Sequence, residues 1–443
     1  MSLRQLSIQW KITLLAGLCL LGIVTLLVGL SLYRMDQSSQ RVQASSTEML
    51  NVAAQSRIEA QGEVQALGIR QQFMDAYQYG HGFSRQVLFL REQAEKRFLD
   101  AFDLREDLTR QVKAALQANP DLLGLSLVFE ANALDGKDEL FAGQQELGSN
   151  EKGRFALYWS QPTPGTLTSM ALPESDMSDT SIGPSGEKAN TWFTCPRTTL
   201  KPCVIEPYFY VIDGQNVLLT SIVFPLTVNG KVIASLSVDI NLNSLQAVSQ
   251  NASRKLYDGQ THVSIISPVG LLAGYSPDAS KLSQRLDSVD TTSGAQLISA
   301  MANSTQTFSL RTDHQLKVLA PFQPIPDGKS WGVLLDVPEK VLIGPAQALK
   351  AELDADNTKG TLLELGLGLL AAIVGLLLVW LMARSVTRPI LGVAHMLEDI
   401  ASGEGDLTRR LAYDKRDELG ELASWFNRFL DKLQPIIAEV KIG

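Results

Sequence analysis

Histidine is scarce in this chain: His81, His262, His314 and His395 are the only four, widely scattered, and none has a glutamate at the spacing a zinc hydrolase needs. No Gly-x-Ser-x-Gly elbow, Walker loop or dinucleotide fingerprint is present, so the common routes to hydrolysis, phosphoryl transfer and hydride transfer leave no trace. The sequence implies neither a metal nor a cofactor, and no enzyme. Positive charge is also in deficit, with 39 Lys and Arg against 47 Asp and Glu and a net charge of -8. A nucleic-acid binder needs a basic face for phosphates, and this chain does not show one.

Charge is missing altogether from two stretches. Ile12 to Leu32 and Leu365 to Ala383 contain no ionisable acid or base, and a helical run of about 20 such residues crosses the hydrocarbon of a bilayer. The first run is longer than the apolar part of a signal peptide, and no small-residue cleavage site follows it, which favours an uncleaved anchor. Arg4 and Lys11 before the first run, and Arg384 and Arg388 after the second, place both ends of the chain in the cytoplasm. The expected order is a cytoplasmic N-terminus over 1–11, a membrane helix over 12–33, an external domain over 34–360, a second membrane helix over 361–383 and a relay over 384–440.

Of the three cysteines, Cys19 lies in the first apolar run, whereas Cys195 and Cys203 fall in the external domain with Pro196 and Pro202 between them. In an oxidising compartment that pair reads as a disulfide stapling a hairpin-like loop. The alternatives are two free thiols or half a metal site, and no histidine or second cysteine pair stands nearby to complete the latter.

From Met35 to about Ala118 the chain is rich in Gln, Glu, Arg, Ala and Leu with apolar residues at helical spacing, which predicts a long stalk helix with a break near Tyr79 to Gly82. Beyond Pro120 come β-branched and aromatic runs at 123–130, 154–160, 203–212, 216–227 and 231–242. Asp213-Gly214 and Asn229-Gly230 between them are hairpin signals, because such turns need positive φ. A second series at 261–268, 271–276, 305–311, 315–324 and 330–338 is interrupted by helical text at Ala279 to Leu286 and Gly294 to Ala302. The fold class is α+β: a stalk helix bearing a distal module at about 120–250 and a proximal one at about 255–340. Glu339 to Asn357 reads as a helix entering the second span.

After Ala383 two amphipathic stretches, about Pro389 to Ser402 and Asp417 to Val440, flank a Gly-containing connector. Ile390, Val393, Leu397 and Ile400 form one apolar stripe, and Leu419, Leu422, Phe426, Phe429 and Leu433 the other. Two such stripes per chain call for a homodimer that completes a four-helix bundle.

These features together resemble the methyl-accepting chemotaxis receptors that carry a double Cache (PAS-like) sensor and a HAMP relay. The HAMP likeness rests on Thr387, Arg388, Pro389 and Ile390, on Gly405, Asp406, Leu407 and Thr408, on Asp417, Glu418, Leu419 and Gly420, and on Phe426, Asn427 and Phe429. The Cache likeness rests on Gly153, Arg154, Phe155, Tyr158 and Trp159, then Trp192 and Phe193, then Glu206, Pro207 and Tyr208, and finally Val238, Asp239 and Ile240. The resemblance implies a bacterial inner-membrane receptor with a periplasmic sensor, working as a homodimer or in higher arrays on a chemotaxis kinase and its adaptor. Receptors of that family continue into a methylated signalling hairpin, which these 443 residues do not include. A histidine kinase or diguanylate cyclase binding another metabolite could share the same front half.

In double Cache sensors for amino acids an Arg two residues before the Trp, with a Tyr further upstream, holds the ligand carboxylate. Here those positions are Asn190 and Ser185, so a bound carboxylate would lack its bidentate partner. The ammonium half remains: the resemblance assigns Tyr208 and Asp239 to it, and Trp192, Phe193, Tyr158, Trp159 and Tyr210 supply aromatic faces suited to a desolvated cation. The expected ligand is a small amine such as putrescine or histamine. The plainer alternatives are that Tyr158, Trp159 and Tyr210 are core residues and that Asp213 is only a turn residue. Asp176 and Asp179 either cap the far end of a diamine or are solvated.

Overall fold

The computed structural model describes residues 7–312, 314–402, 407–413 and 416–440 and divides into two units, residues 48–345 and the remainder. Arg4, Gly405 and Asp406 lie outside the described residues, as does the side chain of Ile400.

In the larger unit the helix α1 (Ile8–Arg97) continues from the first apolar run without the break expected near Tyr79. Its buried residues Ile58, Gly62, Ala66, Ile69, Phe73, Ala76, Gly80, Phe83 and Val87 recur every three or four positions, the stripe of a helix laid on a sheet. Gly80 serves close approach and not a break: a Cβ there would lie 2.3 Å from the Phe224 ring and 2.7 Å from Val238. The chain turns instead at Phe98, whose φ is +54°, and Asp100 then caps α2 (Ala101–Gln117) by accepting from the Phe102 N–H at 2.8 Å.

The distal module contains β1 (Gly124–Phe129), β2 (Ala156–Ser160), β3 (Thr168–Ala171), α3 (Glu174–Ser178), α4 (Thr191–Thr199), β4 (Cys203–Val204), β5 (Tyr208–Ile212), β6 (Gln215–Val228) and β7 (Lys231–Asn241). The sheet is antiparallel with order β3-β2-β1-β7-β6-β4, and β5 also pairs with β6. Asp213-Gly214 and Asn229-Gly230 are the two hairpin turns, all four residues at positive φ. The predicted strand 203–212 is split by Glu206 and Pro207.

Next, α5 (Leu242–Lys255) leads to the proximal module: β8 (His262–Ile266), β9 (Leu272–Tyr275), α6 (Leu286–Val289), α7 (Gly294–Asn303), β10 (Phe308–Thr312), β11 (Gln315–Phe322) and β12 (Trp331–Pro338). The stretch predicted helical over 279–286 is a 3₁₀ turn at Ala279–Lys281, with α6 beginning only at Leu286. Its sheet, order β10-β11-β12-β8-β9, is antiparallel too. The Gln246 side chain grips β9 at Tyr275, donating to its carbonyl at 2.8 Å and accepting from its N–H at 2.6 Å. Phe73 of α1 packs against Trp331 and Phe322. Both sheets thus present one apolar face to α1.

In the other unit the two apolar runs are helical, in α1 and in α8 (Glu339–Ala401), each apolar and long enough to cross a membrane. Small residues let them touch: a Cβ at Gly17 would be 2.8 Å from Leu376, and one at Gly375 2.8 Å from Leu20. The helix expected to enter the second span, the span itself and the first relay stretch are one continuous helix, running through Pro389. Helix α9 (Glu418–Val440) is pinned to the connector by Asn427, whose amide accepts from the Leu411 N–H at 2.8 Å and donates to its carbonyl at 3.0 Å.

Candidate ligand-binding site

Strand alternation sorts the candidate residues onto two faces. Asp239 on β7 sits between Gly124 of β1 and Ser221 of β6, and Tyr158 of β2 stands opposite Ser126. These face away from α1. Trp159, next to Tyr158, faces the opposite side, toward the main core, where the Lys113 ammonium of α2 lies 5.0 Å from its ring centre. An aromatic box holding both was geometrically excluded by the two-residue period of the strand.

Asp239 is buried at 5% exposure. Its Oδ1 accepts from the hydroxyls of Ser221 at 2.7 Å and Ser237 at 2.6 Å, and the Tyr208 hydroxyl stands 2.9 Å from Ser221 Oγ. Burial pushes the Asp239 carboxyl above its ordinary range, opposed by Ser237, Ser221 and Tyr158. The Tyr158 and Tyr208 phenols are pushed well up, first by burial and then by the Asp239 charge. Tyr158 lies close over the strand because position 124 is glycine; a Cβ there would come 2.6 Å from the ring. Its buried hydroxyl lies close enough to act on the Asp239 carboxyl but makes no hydrogen bond of normal geometry.

Tyr210 meets Tyr158 edge-on, ring centres 6.0 Å apart, and donates its hydroxyl to Asp176 Oδ2 at 2.9 Å. A second carboxylate therefore stands at the far end of the tyrosine row. Asp179 is exposed and caps the Ser181 N–H, and Asp213 is in the β5–β6 turn. Neither joins the cluster.

Above the sheet, α4 carries Trp192 and Phe193, both buried, and packs over β6 and β7. Phe193 already has the Arg197 guanidinium 5.0 Å from its ring. Cys195 and Cys203 are joined as a disulfide that ties α4 to β4, a helix to a strand and not the two arms of a hairpin. Asn190 donates to the Met177 carbonyl at 3.0 Å and leaves its Oδ1 buried and unpartnered. Ser221, Ser237, Gly124, Asn190 and Asp176 complete the site. Of these, Ser237 is findable from sequence by strand alternation, two residues before Asp239, and Ser221 only through the register that pairs β6 with β7.

Chemically the cluster is a buried carboxylate fed by hydroxyls, a row of tyrosine faces, an idle amide oxygen and a second carboxylate. Such a set offers acceptors and aromatic faces of the kind that pair with a cationic hydrogen-bond donor.

Residues 381–434 match the HAMP domain family. The chain is 61% identical over 444 aligned positions to methyl-accepting chemotaxis protein TlpQ of Pseudomonas aeruginosa, covering 100% of this chain and 62% of that protein. It thus spans less than two thirds of that relative's length. Among solved structures it resembles the periplasmic sensory domain of the Campylobacter jejuni chemoreceptor Tlp1, with TM-score 0.53, 12% identity, and 67% of this chain and 99% of that one covered. It also resembles mmHK1S-Z3, an extracellular domain assigned to a histidine kinase, with TM-score 0.51, 20% identity, and coverages of 65% and 96%. Those two likenesses concern the fold.

Proposed function

We propose that this chain belongs to the methyl-accepting chemotaxis receptors, senses a small organic amine in the periplasm and passes the signal through its HAMP helices to a chemotaxis kinase. The two apolar helices then cross the inner membrane, the unit 48–345 is the external sensor, and two copies pair through the relay helices.

Asp239 carries the ligand reading. The groups acting on it are the Ser237, Ser221 and Tyr158 hydroxyls, and burial disfavours its charge. A desolvated carboxylate of this kind is stabilised most by an entering ammonium, and tyrosine faces add roughly 0.5–2 kcal/mol each. Asp176 takes the other end of a diamine such as putrescine, or the ring of histamine. Asn190, in place of the arginine of amino-acid sensors, offers an acceptor where a ligand carboxylate would need a donor.

Calorimetry on the full chain in lipid nanodiscs tests this. Putrescine or histamine should bind saturably without turnover; tight binding of proteinogenic amino acids with no heat from either amine would overturn the assignment.

A further inference from the structure

The two modules repeat more than their strand order. Asp239 faces the first residue of β1, Gly124, on one side and Ser221 of β6 on the other. In the proximal module Asp336 faces the first residue of β8, His262, on one side and Lys317 of β11 on the other. Tyr158 stands opposite Ser126, two residues beyond Gly124; Tyr275 stands opposite Ser264, two residues beyond His262. Asp176 lies between β3 and the covering helix α4, and Asp290 lies between β9 and the covering helix α7. Two carboxylates and a tyrosine thus recur at matching positions. The difference is at the strand beside the aspartate, where Ser221 is replaced by a lysine.

Lys317 is buried at 6% exposure. Its ammonium donates to Asp290 Oδ2 at 2.6 Å and Ser293 Oγ at 2.9 Å and stands 3.9 Å from Asp336 Oδ2. Asp336 Oδ1 is buried without a partner. The charge of Lys317 therefore sits between the two carboxylates whose distal counterparts, Asp239 and Asp176, have no such cation among their hydrogen-bond partners.

We propose that Lys317 is a tethered ligand: its side-chain ammonium occupies, in the proximal module, the place that a free primary amine takes in the distal one. The proximal module is then held in its occupied form from within, and removing the tether turns it into a second alkylammonium site. The comparison with a free amine rests on the function proposed above, but the cluster around Lys317 does not. An ordinary structural ion pair would need no copy of the distal arrangement and would not exchange for a soluble amine.

The test uses the full chain in nanodiscs with Asp239→Asn throughout its first arm, so that the distal site is silent. Adding Lys317→Ala should lower the Tm of the sensor, and methyl-, ethyl- or n-butylammonium chloride should restore it by about 2 °C at five times the dissociation constant. Tetramethylammonium chloride, which has no N–H to donate, should not, and the chain retaining Lys317 should not respond. A second arm, in the otherwise unmodified chain, compares Ser221→Lys with Ser221→Met, side chains of similar length. The lysine variant should melt above the methionine variant and lose any Tm rise with putrescine, because it installs a tether beside Asp239. Absence of selective rescue in a folded Lys317→Ala chain overturns the proposal; should that chain not fold, Ser221→Lys melting at or below Ser221→Met overturns it. If the unmodified chain binds no amine yet rescue occurs, the distal reading fails and this one stands.

Discussion

Glu206, between β4 and β5, is buried at 4% exposure with Oε2 unpartnered. Burial pushes its carboxyl up to about 7 from the ordinary 4.5; the Ser267 hydroxyl and Val269 N–H of the proximal module oppose this, and Glu187 adds to it. Lys329 gives little relief because it pairs with Glu187 at 3.9 Å. The folded chain keeps this proton to about pH 7 while the unfolded chain releases it near 4.5, so the folded state binds more protons between those values. Stability therefore falls as pH rises through that window, and above it the loss is complete. The gap of about 2.5 between the two values is worth about 3 kcal/mol. Glu206→Gln keeps the shape and removes the titration. Scanning calorimetry of the full chain in nanodiscs should show the two proteins melting together at pH 5, with the glutamine variant ahead by about 5 °C or more at pH 8. Asp239 and Asp336 also titrate upward of their ordinary range, but they are common to both chains and cancel in the difference. A difference in Tm that stays constant from pH 5 to pH 8 would refute the reasoning.

Asp239→Asn should weaken amine binding by about 2–5 kcal/mol, as expected on removing one member of a buried pair, while Asp213→Asn in its exposed turn changes calorimetric affinity little. Replacing Cys195 and Cys203 by serine opens a closure of 8 residues and should cost about 2–3 kcal/mol in a denaturation titration, and it should weaken the amine heat because α4 loses its tie to β4. Gly80→Ala improves helix propensity by about 1 kcal/mol yet should lower Tm, since its Cβ would meet Phe224 and Val238, and overpacking of that kind costs about 1–3 kcal/mol. Cysteines at Leu397 and Phe426 should cross-link between two copies at rates that change with bound amine; equal rates with and without saturating ligand would rule out a repacking relay.

Strands and long apolar helices were legible because their signals are local. Charge-free runs, the β-branched stretches and the two Asx-Gly turns each depend on a few neighbouring residues. The break in the stalk was misplaced for the opposite reason: Gly80 looks like a helix breaker until Phe224, far away in sequence, is seen to need the space. Trp159 fell on the wrong face of the proposed box, although its adjacency to Tyr158 already forbade a shared face in a strand. Helix α5 and the short helix α4, with Pro196 inside it, carried signals too weak to separate from the surrounding strand and loop text. Asp176 was unreadable, since only the tertiary contact with Tyr210 distinguishes it from a solvated loop acid.

The same alternation that misled the aromatic box links the Asp239 cluster to the part of α1 that lies in the larger unit. Val238 and Asp239 are consecutive on β7 and point to opposite faces, Asp239 into the tyrosine cluster and Val238 onto α1, where a Cβ on Gly80 would meet it at 2.7 Å. A cation that draws Asp239 and its strand toward the cover must change how Val238 and Phe224 bear on α1, because a close-packed contact has no slack to absorb the shift. Within the larger unit α1 runs unbroken over residues 48–97, so a displacement of about 1–2 Å, the usual scale of such helix shifts, need not cross a flexible joint there. On the other side Asp336 lies near the end of β12, whose last residue, Pro338, is followed directly by α8. If Lys317 holds that carboxylate permanently and an amine binds at Asp239, the two modules would differ in kind: β7 would move with the ligand while β12 stays fixed.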